Sequence, residues 1–275
     1  MNQTMTHTVT AGGARIPLVG LGTWTLRGKD CAHLVEQAIA AGYRHIDTAQ
    51  MYENEREVGE GIRASGLRDQ VFITTKVQPE NLRASDLERT TKESAARLGV
   101  SQVDLLLIHW PNSEIPLAET IGALNKVKRD GLTKHIGVSN FNVSLIEDAT
   151  RLSDAPLVCD QVEYHPFLDQ SKVIAACRKH DMAVVAYSPI ARGGAERDQV
   201  IARIAKAHGK SPAQISLRWL VQQGVVVIPR TSRVERLKEN IALFDFELTA
   251  AEMKEIAGLA RGGRIVNWAY SPKWD

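Results

Sequence analysis

The chain has 275 residues, 44% hydrophobic and 24% charged, the range of a soluble globular protein able to bury a large core as one domain spanning 1–275. A net charge of +2 without an acidic or basic tail argues against nucleic acid or a membrane surface as main partner, since both need a concentrated basic patch. Cys31, Cys159 and Cys177 are odd in number and lack CxxC spacing, which argues against a disulfide scaffold. With no apolar leader and no run near the roughly 20 apolar residues that span a bilayer, a cytoplasmic protein is expected, and it is taken to be a monomer.

From the N-terminus, Ala11-Gly12-Gly13 can turn a short hairpin. Strand-like runs then follow at Val19–Leu21, His45–Asp47, Val71–Lys76, Val103–His109, His135–Ser139, Val158–Val162, Ala183–Tyr187 and Val225–Pro229. Between them lie segments with apolar residues three to four apart, such as Cys31–Ala41, Asn54–Ala64, Ser85–Leu98, Leu117–Arg129 and Gln170–His180. Asn54 followed by Glu57 has the spacing of an N-cap and its N3 carboxylate, which predicts a helix just after Tyr52 and leaves Tyr52 in a strand-to-helix loop. Leu248–Asp275 reads as a further helix and a Gly/Trp-containing tail. This β-α alternation predicts an α/β fold, a (β/α)₈ TIM barrel with an N-terminal hairpin and a C-terminal helix plus tail. A doubly wound open sheet is the rival, but its nucleotide site requires a GxGxxG turn that does not occur here.

Polar residues recur at the C-terminal ends of these apolar runs: Asp47, Lys76, His109, Ser139 with Asn140, Gln161 and Arg230, with Tyr187 as an aromatic counterpart. In a barrel these ends open onto one face, so residues far apart in sequence converge there. Lys76 and Asp47 alone could be a plain salt bridge. With Tyr52 nearby they suggest chemistry, because a cation stabilises a phenolate and lowers the hydroxyl's ordinary pKa of about 10. Tyr52 is then expected to protonate a carbonyl oxygen as hydride reaches the carbon, Asp47 to hold Lys76, and His109 to orient the carbonyl. His109 alone could be a core histidine, and Trp24, Trp110 and Trp268 could be packing or an apolar substrate wall. Asp47, His109, Asp160, Glu163 and His165 are possible metal ligands, but Lys76 would repel a divalent ion and no HxH or HExxH spacing occurs, so no metal is expected.

The stretch Gly42-Tyr43-Arg44-His45-Ile46-Asp47-Thr48-Ala49-Gln50-Met51-Tyr52-Glu53-Asn54-Glu55 closely resembles the aldo-keto reductase signature. Lys134-His135-Ile136-Gly137-Val138-Ser139-Asn140-Phe141 and Ile228-Pro229-Arg230-Thr231, with Arg236, Glu239 and Asn240, resemble two more. Within the family the chain looks most like bacterial 2,5-diketo-D-gluconate reductases, through Asp47-Thr48-Ala49-Gln50, Ile108-His109-Trp110-Pro111 and the ending Ser271-Pro272-Lys273-Trp274-Asp275.

The resemblance implies a catalytic set of Asp47, Tyr52, Lys76 and His109. It implies that Ser139, Asn140 and Gln161 bind a nicotinamide amide and that Tyr187 stacks on its ring. Arg230, Thr231, Ser232 and Arg236, at the start of a predicted helix, suit a 2′-phosphate, and Glu239 and Asn240 match positions near the adenine, so NADPH is the expected cofactor. Many relatives carry lysine at the position of Arg230. Ser188 opens the segment Ser188–Gly194, which either covers the pyrophosphate or is a loop without a role. Expected substrates are small carbonyl compounds, methylglyoxal-like aldehydes and keto-sugars. The rival from another class is a non-catalytic, NADPH-binding regulatory member of the family.

Overall fold

The computed structural model describes residues 7–268 and 270–275. A hairpin of β1 (Thr8–Ala11) and β2 (Ala14–Pro17) comes first. It turns on Gly12 and Gly13 at φ 52° and 81°, where a side chain would be strained. Its inner residues Ala11, Ala14 and Ile16 pack with Leu105, Leu107, Val158, Cys159 and Val226, so the hairpin plugs one end of the barrel.

The barrel strands are β3 (Leu21–Gly22), β4 (His45–Asp47), β5 (Phe72–Val77), β6 (Val103–Ile108), β7 (Thr133–Ser139), β8 (Leu157–Glu163), β9 (Ala183–Tyr187) and β10 (Val226–Val227). Each pairs in parallel with its sequence neighbour. The ring is closed by a parallel bridge from Val19 to Val227, with Gly20 N donating to the Val227 carbonyl at 2.8 Å and Gly22 N to that of Pro229 at 3.1 Å. The seam is tight: a Cβ on Gly22 would stand 2.8 Å from the Ile228 carbonyl oxygen. The first and last strands are thus shorter than their apolar runs, because pairing at the seam is confined to a few residues.

The helices are α1 (Gly28–Ala40), α2 (Glu55–Ala64), α3 (Ala84–Leu98), α4 (Leu117–Arg129), α5 (Val143–Leu152), α6 (Ser171–Lys179), α7 (Gly194–Arg197), α8 (Gln199–His208), α9 (Pro212–Val221), α10 (Val234–Ile241) and α11 (Ala250–Ala257). Each long helix buries one stripe; α1, for example, turns Cys31, Leu34, Val35, Ala38 and Ile39 inward. Between β9 and β10 stand α7, α8 and α9 instead of one crossover helix. Asp198 caps α8, and Ser211 with Gln214 forms a capping box on α9.

Helix α2 starts where the Asn54 spacing placed it, but not by the expected cap. The Asn54 side chain makes no capping bond. It is fully buried, accepts from Thr48 Oγ1 at 2.7 Å, and donates to the Thr23 and Leu26 carbonyls at 2.8 and 3.1 Å. It therefore ties the loop after β3 to the loop after β4. Among the described residues no helix is long and apolar enough to cross a membrane.

Candidate active site

Parallel pairing lines up the strand ends, so the polar residues at those ends meet in one cavity of about 640 Å³. Asp47, Tyr52, His109, Ser139, Asn140, Gln161, Tyr187, Ser188, Arg230 and Arg236 line it, together with Trp24, Trp110 and Trp268. Lys76 lies just beneath the lining and is fully buried. Sequence-predicted residues from the ends of all eight barrel strands or the loops after them are thus brought together by the barrel.

At the centre, Lys76 Nζ donates to Asp47 Oδ1 at 2.6 Å, to the Thr48 carbonyl at 2.9 Å and to Tyr52 Oη at 3.5 Å. These acceptors match the three N–H bonds of an ammonium. The phenol oxygen therefore receives a hydrogen bond from Lys76, and its own proton remains free. Asp47 is held from its other side by Gln161 Nε2, which donates to Oδ2 at 2.8 Å.

The electrostatics differ from the sequence expectation in one respect. Loss of solvation, and then the Asp47 carboxylate, push the Tyr52 hydroxyl well above the usual phenol range. Asp47 offsets the charge of Lys76, so the cation does not acidify the resting phenol. Burial pulls the Lys76 ammonium down while Asp47 pushes it back up, with a net lowering. His109 meets the Tyr52 ring edge-on, centroids 5.5 Å apart. Burial, aided by Lys76, holds its pKa well below the ordinary imidazole value, so the ring is neutral, and its Nδ1 has no hydrogen-bond partner among the described residues.

A second network runs along the wall. Ser139 Oγ donates to the Gln161 carbonyl at 2.7 Å, and Asn140 Nδ2 donates to Ser139 Oγ at 3.0 Å and to the His109 carbonyl at 2.9 Å. Tyr187 Oη donates to Asn140 Oδ1 at 2.8 Å. Asn140 is left-handed at φ 63°, a conformation Asn tolerates better than most residues. These amides and hydroxyls, with the Tyr187 ring, form a wall with the chemistry to hold a flat aromatic carboxamide.

The far end of the cavity is basic: Arg192, Arg197, Arg230 and Arg236 line it against one carboxylate, Glu196. Arg236 pairs with Glu196 at 3.4 Å, and the Arg192 guanidinium lies 4.9 Å from the Trp24 ring centroid. This donor set fits a polyphosphate. Arg192, Glu196 and Arg197 had not been singled out in sequence; the basic residues in the Gly-containing segment after Tyr187 were the available signal. Met51, Val266 and Tyr270 were missed as well.

Four residues expected at the cofactor do not line this cavity. Thr231 is buried, its Oγ1 accepting from Arg233 N at 3.0 Å just before α10. Ser232 is exposed outside the lining, Asn240 is buried in α10, and Glu239 uses its carbonyl to accept from Gln214 Nε2. On α10 the helix geometry turns Glu239 and Asn240 away while Arg236 reaches the cavity, and Thr231 and Ser232 belong to the turn before that helix. Among the described residues no cluster of His, Cys, Asp and Glu could hold a metal.

The profile of the Aldo/keto reductase family matches residues 18–261. The chain is 40% identical over 265 residues to a methylglyoxal reductase, DkgB, of Escherichia coli O157:H7, covering 94% of this chain and 99% of that protein. A solved structure provisionally assigned as a 2,5-diketo-D-gluconic acid reductase B superposes with a TM-score of 0.97 at 48% identity, over 99% of each chain. The structure of a Bombyx mori aldo-keto reductase in complex with NADP superposes with a TM-score of 0.89 at 33% identity, over 96% of each chain. On fold, site and sequence alike, this chain belongs to the aldo/keto reductase family.

Proposed function

We propose that the protein reduces aldehydes and ketones to alcohols with NADPH, using Tyr52 as the proton donor. The observation that carries this reading is the single ammonium shared between the Asp47 carboxylate and the Tyr52 hydroxyl. Bound in the cavity, NADPH would supply hydride, its nicotinamide against Tyr187, Ser139, Asn140 and Gln161, its phosphates toward Arg192, Arg230 and Arg236.

The protein's own part is proton delivery and orientation. Because its oxygen accepts from Lys76, Tyr52 can direct its proton at a carbonyl oxygen. Its raised pKa keeps that proton in place throughout the neutral range. As the proton leaves, the Lys76 N–H bond to the phenol oxygen becomes charge-assisted on both sides and strengthens, so the cation acts on the developing phenolate and not on the resting phenol. Asp47 and Gln161 fix the ammonium so that no reorganisation is needed at that moment. His109, being neutral, can donate one hydrogen bond to the same carbonyl oxygen without competing for the proton.

The named relatives make methylglyoxal-like aldehydes and diketogluconate-like keto-sugars the first substrates to try. Mixing purified protein with NADPH and these carbonyls should consume the absorbance of the reduced cofactor. Tight NADPH binding with no turnover across aldehydes, keto-acids and keto-sugars would replace this reading by the non-catalytic binding member.

A further inference from the structure

We propose that Glu163 is a positioning residue that holds the C-terminal segment as the outer wall of the substrate cavity and so sets which carbonyl substrates fit. The inference rests on the carbonyl-reductase reading and adds the origin of its substrate selectivity.

Glu163 ends β8, in register with Tyr187 of β9, and is fully buried. A buried carboxylate is costly unless its oxygens are satisfied. Here the partners come from a hundred residues downstream: Ile265 N donates to Oε1 at 2.6 Å and Val266 N to Oε2 at 2.7 Å. His165, also fully buried, lies with Nε2 3.0 Å from Oε1. Its Nδ1 accepts from Phe167 N at 3.3 Å, so its proton sits on Nε2 and is donated to Glu163. Gln170 Nε2 donates to the Glu163 carbonyl at 2.7 Å. Glu163 therefore acts as a two-oxygen clamp on two successive main-chain amides.

Among its described residues the clamped segment forms no helix or strand, so its position depends on such anchors. The Phe167 carbonyl takes Arg261 N at 3.1 Å and Gly263 N at 2.9 Å, and the far end is tied where Asn142 Nδ2 donates to the Lys273 carbonyl at 2.9 Å. Of these ties, Glu163 is the one that holds a cavity-lining residue directly, since Val266 faces the cavity and Trp268 and Tyr270 continue the wall. Trp110, which follows the strand end of His109, meets Tyr270 edge-on at 5.5 Å and Trp274 at 6.1 Å. The reacting end of the cavity is built from strand ends, whereas the face opposite is apolar, and its Val266 is held through the Glu163 carboxylate. A small aldehyde can react without touching that face. A bulky one must lie against it.

The test uses the full-length protein with NADPH, methylglyoxal and benzaldehyde, in the wild type and in Glu163→Gln and Ile265→Pro. The glutamine turns a donor toward an amide N–H; the proline deletes one clamped N–H and leaves the barrel untouched. Both variants should raise KM for benzaldehyde at least about fivefold while kcat for methylglyoxal and the affinity for NADPH stay within about twofold. Amide hydrogen exchange at Val266 should speed up in both, and the effects of the two substitutions should combine to less than their sum, since both act on the same clamp. Unchanged exchange, or equal KM shifts for the two aldehydes, would overturn the proposal. If the wild type reduces neither aldehyde, the reductase reading fails by itself and exchange alone decides whether Glu163 holds the segment.

Discussion

The two ends of the cavity are built on different principles. At the reacting end, Asp47, Lys76, Ser139 and Gln161 stand on barrel strands, are buried, and are locked by short hydrogen bonds to one another. At the basic end, Arg192 and Arg230 come from loop segments, Arg197 from the end of α7 and Arg236 from the start of α10, and Arg192, Arg197 and Arg230 are exposed. The segment carrying Arg192 holds Ser188, Ala191 and Arg192 at φ 51°, 50° and 49°, left-handed conformations that persist only when their surroundings impose them. The contrast suits the two tasks: proton transfer needs fixed donors at short range, whereas phosphate recognition can use long guanidinium arms that settle when the ligand arrives.

The comparison predicts that the reacting end is structurally intolerant. Lys76→Met would leave Asp47 buried without its cation, and the protein should lose about 3–5 kcal/mol in urea unfolding. A loss below about 1 kcal/mol would show that the pair is dispensable to the fold.

Asp160, next to Gln161 on β8, should behave in the opposite way. Burial raises its pKa from 3.8 to about 8, opposed only by a weak bond from Phe141 N at 3.4 Å, and its Oδ2 has no partner among the described residues. The folded state keeps a proton here that the unfolded state releases, so this group's contribution is greatest below the unfolded value of 3.8 and is lost as pH rises toward about 8. Asp160→Asn, which needs no proton to stay neutral, should therefore stabilise the protein by up to about 4 kcal/mol at pH 7 and flatten the fall of Tm as pH rises from 3.8 to about 8. An unchanged slope of Tm with pH would show that Asp160 is ionised in the fold.

Tyr52→Phe should lower the rate of carbonyl reduction by at least about 10²-fold with NADPH affinity nearly unchanged, as judged by single-turnover kinetics and a binding titration. Near-wild-type turnover would remove Tyr52 from the mechanism. The smallest effect is expected at the basic end. Arg236→Ala should weaken NADPH about tenfold and NADH much less, with little change in Tm, because among the described residues Arg236 pairs with the half-exposed Glu196 alone. Equal losses for the two cofactors would refute the assignment of Arg236 to the 2′-phosphate.

Much of the reacting end was legible from one feature: a lysine, an aspartate or a glutamine closing an apolar run stands out against the pattern of a buried strand. Lys76 after Phe72-Ile73-Thr74-Thr75 and Gln161 after Val158-Cys159-Asp160 are such breaks, and both lie at the cluster. The basic end was less legible because loop conformation is not written in periodicity. Thr231, Ser232, Glu239 and Asn240 share a short stretch with Arg236, yet of these only the arginine lines the cavity: Glu239 and Asn240 lie on other faces of α10, and Thr231 and Ser232 belong to the turn before it. Asn54 shows the same limit within one residue: its spacing located the start of α2, but its side chain went to Thr48, Thr23 and Leu26.

The sequence by itself determined the β-α alternation, the hairpin, the positions of the strand ends and the residue types placed there, because hydrophobic period and turn chemistry are local. The three-dimensional packing decided what those groups do to one another. Only when the barrel closes is the Tyr52 hydroxyl buried away from water with the Asp47 carboxylate nearby, 2.6 Å from Lys76, and burial first and the carboxylate second leave the phenol harder to ionise instead of easier. Only then does Glu163, at the end of one strand, meet the amides of residues 265 and 266. Coulomb and hydrogen-bond energies depend on distance and burial, and neither quantity exists until segments remote in the chain are brought side by side.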